Sequence, residues 1–258
     1  VRGLKSLSAL IMGALSFGSA FAAGPGTAWS GAAACEGLFA SLPLSLPGGA
    51  VMTGRDGIST LYTLPEGGEL RIEGPVVRRE PLAGATFQEA LTDLRERAPL
   101  DLRSGDGPLT GVVLARVDNE YNGELSLYGD ANGFGANAGG AELLIQPTVY
   151  LASWAGYANA SDSDRTLWDR ALCEQAHHEL GHILLAAQVM AEAEPGLSAI
   201  TSTTRAGISQ AARDALNAMM AHIRARQELY HTEIKSMGES FADSRPYLEL
   251  PFSWLVGD

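Results

Sequence analysis

Basic residues are scarce in this chain: 18 lysines and arginines stand against 30 aspartates and glutamates, a formal net charge of −12. A surface of that sign repels phosphate, which argues against nucleic acid or anionic lipid as a partner. Cysteine is scarcer still, present only as Cys35 and Cys173. That argues against a cysteine-held structural zinc and makes one disulfide between the two the expectation, with lipidation of Cys35 as the alternative. Beyond residue 21 there is no apolar run long enough to span a bilayer. No internal repeat is visible. Histidine occurs five times, so an imidazole site must draw on His177, His178, His182, His222 and His231.

What the chain does have is 46% hydrophobic residues, enough for one sizeable core or for two small lobes sharing a cleft. Residues 1–22 read as a secretory signal: Arg2 and Lys5, an apolar run over 7–21, and Ala20-Phe21-Ala22 as a cleavage site. Its removal takes the charge from −12 to −14 (−12 minus the two basic residues), and the expected location is secreted or periplasmic. A Gly- and Ala-rich lead-in over 23–34 precedes a β-rich lobe over 35–160, a helical lobe over 161–244 and a tail over 245–258. Within the first lobe, strands are expected at 50–53, 59–64, 70–72 and 76–79, and a helix at 86–97. Asn122-Gly123 signals a hairpin turn between strands at 111–117 and 124–128. Residues 129–133 read as a turn, not a calcium loop, because the twelfth-position glutamate is missing. A more apolar strand is expected at 141–154. The expected fold class is α+β, a small β-rich lobe with one helix followed by an antiparallel pair of long helices.

The first of those helices, over 165–194, has Ser161 to Asp164 as N-cap candidates and Pro195-Gly196 as its stop. It carries His178-Glu179-Leu180-Gly181-His182, an H-E-x-x-H pattern. Residues four apart share a helix face, so the two imidazoles can grip one ion while the intervening carboxylate is placed to take a proton from water. Adjacent His177 is turned about 100° away and is read as a surface residue or a supporting partner. The second helix, over 206–237, has apolar positions at Ile208, Ala212, Leu216, Met219, Ile223 and Leu229. The tail, with Tyr247, Phe252 and Trp254, is expected to pack onto the body.

A catalytic zinc takes three protein ligands, and the motif supplies two. The extended pattern with Gly and a third His is excluded by Leu185 and Gln188. His222 and His231 are nine residues apart and so lie on opposite helix faces, which allows one of them at most. His231 is favoured, Glu239 is its rival, and Glu233, Asp243 and His222 remain as further candidates.

Trp168-Asp169-Arg170-Ala171-Leu172, together with the His178 to His182 motif, resembles a family of predicted secreted bacterial zinc-dependent proteases. The strand at 143–154 and the helix at 206–230 are similar as well, so the resemblance covers about 141–240. That family continues with a tyrosine-aspartate segment ending in a histidine, whereas here Tyr230 is followed by His231, and Ser236 stands near the later histidine. The third ligand therefore does not carry over from it. Glu239-Ser240-Phe241-Ala242-Asp243 is similar to the E-x-x-A-D segment of gluzincin-type, membrane-associated zinc peptidases, which implies glutamate as third ligand.

The expected function is a zinc-dependent peptidase acting on a peptide or protein substrate, with Zn²⁺ on His178, His182 and His231 or Glu239. Glu179 is the general base and Tyr230 a candidate donor to the oxyanion. A strand within 141–150 is expected to bind substrate in extended form. Two other readings stand beside it: a non-catalytic envelope binding module, and an amidase acting on cell-wall peptides.

Overall fold

The computed structural model describes residues 42–56, 59–104 and 111–236. The signal segment, the lead-in, Cys35, Glu239, Asp243 and the tail lie outside the described residues.

Strands β1 (Val51–Arg55), β2 (Ser59–Thr63) and β3 (Glu69–Glu73) form an antiparallel meander. Strand β4 (Val76–Leu82) continues in the direction of β3, and both lie parallel to β8 (Gly133–Trp154), end to end along one of its edges. The other edge of β8 is taken by β7 (Ala115–Asp130) in an antiparallel hairpin. Two short pieces, β5 (Arg103–Ser104) and β6 (Gly111–Val112), pair with each other outside this sheet. Helix α1 (Phe87–Arg97) follows β4. Thr86 caps it by accepting from the Glu89 N–H at 3.2 Å, while Glu89 Oε2 accepts from the Ala85 N–H at 2.7 Å.

The hairpin differs from its expected form. Asn122 and Gly123 lie in mid-strand, opposite Leu144 and Leu143, and the chain reverses at Asp130 and Gly133 instead. A Cβ at Gly123 would stand 2.9 Å from Leu216 Cδ2 and 3.1 Å from Leu143 Cδ2, so this glycine lets a helix approach the sheet closely. The turn forms where Asp130 Oδ1 accepts from the Asn132 N–H at 2.7 Å, within the segment expected to turn.

Helix α2 (Asp162–Ser198) begins where Ser161 Oγ accepts from the Asp164 N–H at 3.1 Å, with Asp162 and Asp164 beside the positive end of its dipole. It runs past Pro195, the expected stop. Proline forfeits only its own N–H, and this last turn is secured by Glu194, fully buried, which accepts from the Glu66 N–H at 2.8 Å and the Ser198 hydroxyl at 3.2 Å. From His182 to Ala191 almost every side chain is buried, as befits a helix covered on more than one side. Strand β9 (Thr201–Ser202), pairing with Phe134 and Gly135, lies in the link to α3 (Arg205–Ser236).

Helix α3 runs antiparallel to α2: Gln227 meets His182, and Tyr230 meets His178. Its buried stripe is Ile208, Ala212, Leu216, Met219, Ile223 and then Tyr230. Leu229, expected on that face, is 52% exposed, because at about 100° per residue it stands a full step off the stripe, which Tyr230 continues instead. The two regions divided at about residue 160 share one core. Tyr62, Leu70, Leu143 and Ile145 from the sheet pack with Leu172, Ala176, Ile183, Leu216 and Met219 from the helices. No helix of the described residues is long and apolar enough to cross a membrane.

Candidate metal centre

His178 and His182 sit midway along α2, one turn apart, with ring centroids 4.8 Å apart and ring planes perpendicular. Their Nε2 atoms approach to 3.2 Å. His231 comes from α3, its ring 4.6 Å from that of His182 and 5.3 Å from that of His178. The ligand atoms of all three lie within 4.8 Å of one another, and the group could hold a metal ion. His182 is buried, His178 half-buried and His231 exposed, so the cluster opens toward solvent on the α3 side.

The donor set fits a nitrogen-preferring divalent ion. Two imidazole nitrogens on a tetrahedral zinc, each at about 2.0–2.1 Å, stand about 3.3 Å apart, close to the spacing of the His178 and His182 nitrogens. Burial, with His231 adding to it, pushes the His178 imidazole down to about 4. Burial likewise holds His182 well below its ordinary value, with His178 and His231 pushing the same way. Both rings are therefore neutral at physiological pH, the state in which imidazole ligates. The Nδ1 of His182 is buried with no hydrogen-bond partner among the described residues, and its ring is held by packing, edge-on to Tyr230 at 5.0 Å.

Glu179 is 8% exposed, and its Oε2 accepts from the Val117 N–H at 2.8 Å. Burial pushes this carboxyl up to about 8, against the opposing pull of the Val117 N–H and the Arg116 guanidinium. Gln175, one turn earlier on the same face, accepts through Oε1 from the N–H groups of Leu114 and of Ala115, the latter at 3.0 Å. Two side chains of the motif helix thus grip the outer edge of β7 where that strand begins.

Tyr230 stacks on His178, centroids 5.0 Å apart and planes 12° from parallel, and its hydroxyl donates to the His178 carbonyl at 3.4 Å. That hydroxyl lies against the backbone of α2 at Gly181. His177 points elsewhere, as its position predicts. Its Nε2 is buried without a hydrogen-bond partner among the described residues, and burial lowers its basicity against the opposing pull of Glu174. His222 is exposed on α3 and does not join the cluster. Glu239 and Asp243 lie outside the described residues, as does the side chain of Glu233.

Sequence reasoning passed over Gln175, Val117, Tyr121 and Gln227. Gln175 alone left a signal, standing four residues before Glu179 and so on its face of the helix. Gln227 donates to the Tyr121 hydroxyl at 2.9 Å and to the His182 carbonyl at 3.4 Å, tying α3 to both β7 and α2.

No curated protein and no solved structure matches the chain. A family defined by sequence does match, over residues 77–238, which take in most of the sheet, the motif helix and all but the first-strand meander of the site's framework. The chain belongs to that family, the bacterial proteins of unknown function designated DUF922.

Proposed function

We propose that this protein is a zinc-dependent peptidase. The observation that carries the reading is the set of three imidazoles from two helices, with a buried carboxyl next in sequence to the first of them. Three nitrogen ligands rather than four among the described residues leave a position for water or substrate, which favours a catalytic over a structural ion. Zinc bound there would supply Lewis acidity, polarising a carbonyl and acidifying water. The remaining work falls to the chain itself. Glu179, with one oxygen tied to the Val117 N–H, has the other with which to take a proton from water and return it to the leaving amine. His178 and His182, kept neutral by burial and proximity, are ready to ligate without first losing protons.

The strand that would present substrate is β7. Strand β8, expected in that part, has both edges paired, to β7 on one side and to β3, β4 and β9 on the other, and offers no backbone to a further chain. The outer edge of β7 pairs with no strand among the described residues, and it passes the motif helix at Val117. An extended peptide added along that edge past Val117, whose own N–H is taken by Glu179, would lie beside the ligand cluster.

Metal analysis and an unstructured protein substrate test the reading together. The intact protein should hold one zinc per chain. His178→Ala, His182→Ala and His231→Ala should each weaken zinc binding at least about a hundredfold, while His222→Ala retains it. Glu179→Gln should keep the metal and lose cleavage by at least about a hundredfold. Cleavage that survives Glu179→Gln removes the mechanism, absence of zinc favours the binding module, and hydrolysis of cell-wall peptides alone favours the amidase.

A further inference from the structure

We infer that Tyr230 is the residue that seats the third ligand, locking into a socket that Gly181 opens on the motif helix. The inference rests on the three-histidine metal reading and adds to it the device that brings His231 into place.

His231 is exposed, and among the described side chains it is the one ligand candidate that α3 brings to the cluster. Its neighbour Tyr230 is 6% exposed and touches the site on three sides. The ring stacks on His178, meets His182 edge-on, and sets its hydroxyl against Gly181. On a rigid helix, immobilising one residue fixes the Cα of the next, so the Tyr230 contacts determine where the His231 ring can reach.

Gly181 is the other half of the lock. Glycine in the interior of a helix is unfavourable relative to alanine, and this one makes room for a single thing. The three heavy atoms nearest to a Cβ at position 181 all belong to Tyr230: the hydroxyl, Cζ at 2.8 Å and Cε1 at 3.3 Å. Any other residue would push Tyr230 off α2 and carry His231 with it. A second tie one turn earlier, from Gln227 to the His182 carbonyl, has the same 3.4 Å length as the Tyr230 bond to the His178 carbonyl, but only Tyr230 adds ring stacking on His178 and the contact at Gly181.

The test is zinc affinity, measured by competition with a chromophoric chelator on the full chain, with far-UV circular dichroism of the metal-free proteins as a check on folding. Gly181→Ala and Tyr230→Leu should each weaken zinc binding at least tenfold without loss of helix. Tyr230→Phe, which keeps the stacked ring, should recover most of what Tyr230→Leu loses. The double variant Gly181→Ala/Tyr230→Leu should bind no more weakly than Tyr230→Leu alone, because the atoms that would collide with the new Cβ are gone. Affinities of both single variants within threefold of the parent overturn the inference, and so do losses that multiply in the double variant. Should Gly181→Ala fail to fold, equal affinities of the Leu and Phe variants at position 230 overturn it. A parent chain that takes up no zinc defeats the metal reading itself; a parent that binds zinc while the variants are indifferent defeats only the lock.

Discussion

Removing the buried carboxyl of Glu179 should stabilise the metal-free protein, and by an amount that depends on pH. In the unfolded chain this group ionises at its ordinary value of 4.5, whereas in the fold burial raises it to about 8. A raised carboxyl favours the protonated state, so the folded form is progressively disfavoured as pH climbs from the lower value to the higher. At about 1.4 kcal/mol per unit, the penalty is about 1 kcal/mol near pH 5 and about 4 kcal/mol near pH 8. Glu179→Gln abolishes it while retaining an oxygen that can accept from the Val117 N–H. Denaturant unfolding in the presence of a chelator, at the two pH values, measures the difference directly. Contributions from the histidines are common to both proteins and cancel to first order. The Gln variant should gain at least about 2 kcal/mol on the parent between the two conditions, allowing for water reaching the site. Zinc, by favouring the ionised carboxylate, should narrow the gap near pH 8. A stability difference independent of pH would refute the reasoning, since it would mean that Glu179 ionises in the fold as it does in water.

Two further outcomes follow from the same structure. Because burial holds His178 at about 4, below its ordinary 6.5, the unfolded chain protonates first, so the contribution of this residue to metal-free stability is complete above about pH 6.5 and is lost as pH falls toward 4. His178→Asn should flatten that acid slope in a denaturation series, and an unaltered slope would contradict it. Glu194→Ala strips the partner from the Glu66 N–H and the Ser198 hydroxyl in a fully buried position, which should cost about 1–3 kcal/mol of stability while leaving zinc affinity as it was; undiminished stability would show that the clamp is dispensable.

Helix α2 was legible because its determinants are local: a serine cap with acids behind it, apolar spacing, and a ligand pair one turn apart. The face of α3 was legible as far as Ile223 and failed at Leu229, which at about 100° per residue stands one step round from the stripe that Tyr230 continues. Asn122-Gly123 misled for the opposite reason. Its turn signal is genuine as local chemistry, yet Gly123 is needed where it lies because Leu216 of α3 presses on the strand, a tertiary demand that no short window contains. The third ligand fell between these cases. Rotation along α3 separated His231 from His222, but that His231 comes to lie beside His178 and His182 depends on the offset between two helices, which cannot be seen in one sequence. Gln175 meets Ala115, and Glu179 meets Val117, only because β7 begins alongside the motif helix.

The side-by-side arrangement of β3 and β4 with β8 also dictates an order of assembly. Leu70 finds Leu143, and Val76 finds Thr148, only after the intervening stretch has looped round, whereas β7 and β8 are joined by a tight turn and can zip up within themselves. The long hairpin is therefore the natural nucleus. The earlier strands dock onto it late and slowly, and until they do, the still-open flank of β8 is a site for mispairing with other nascent chains.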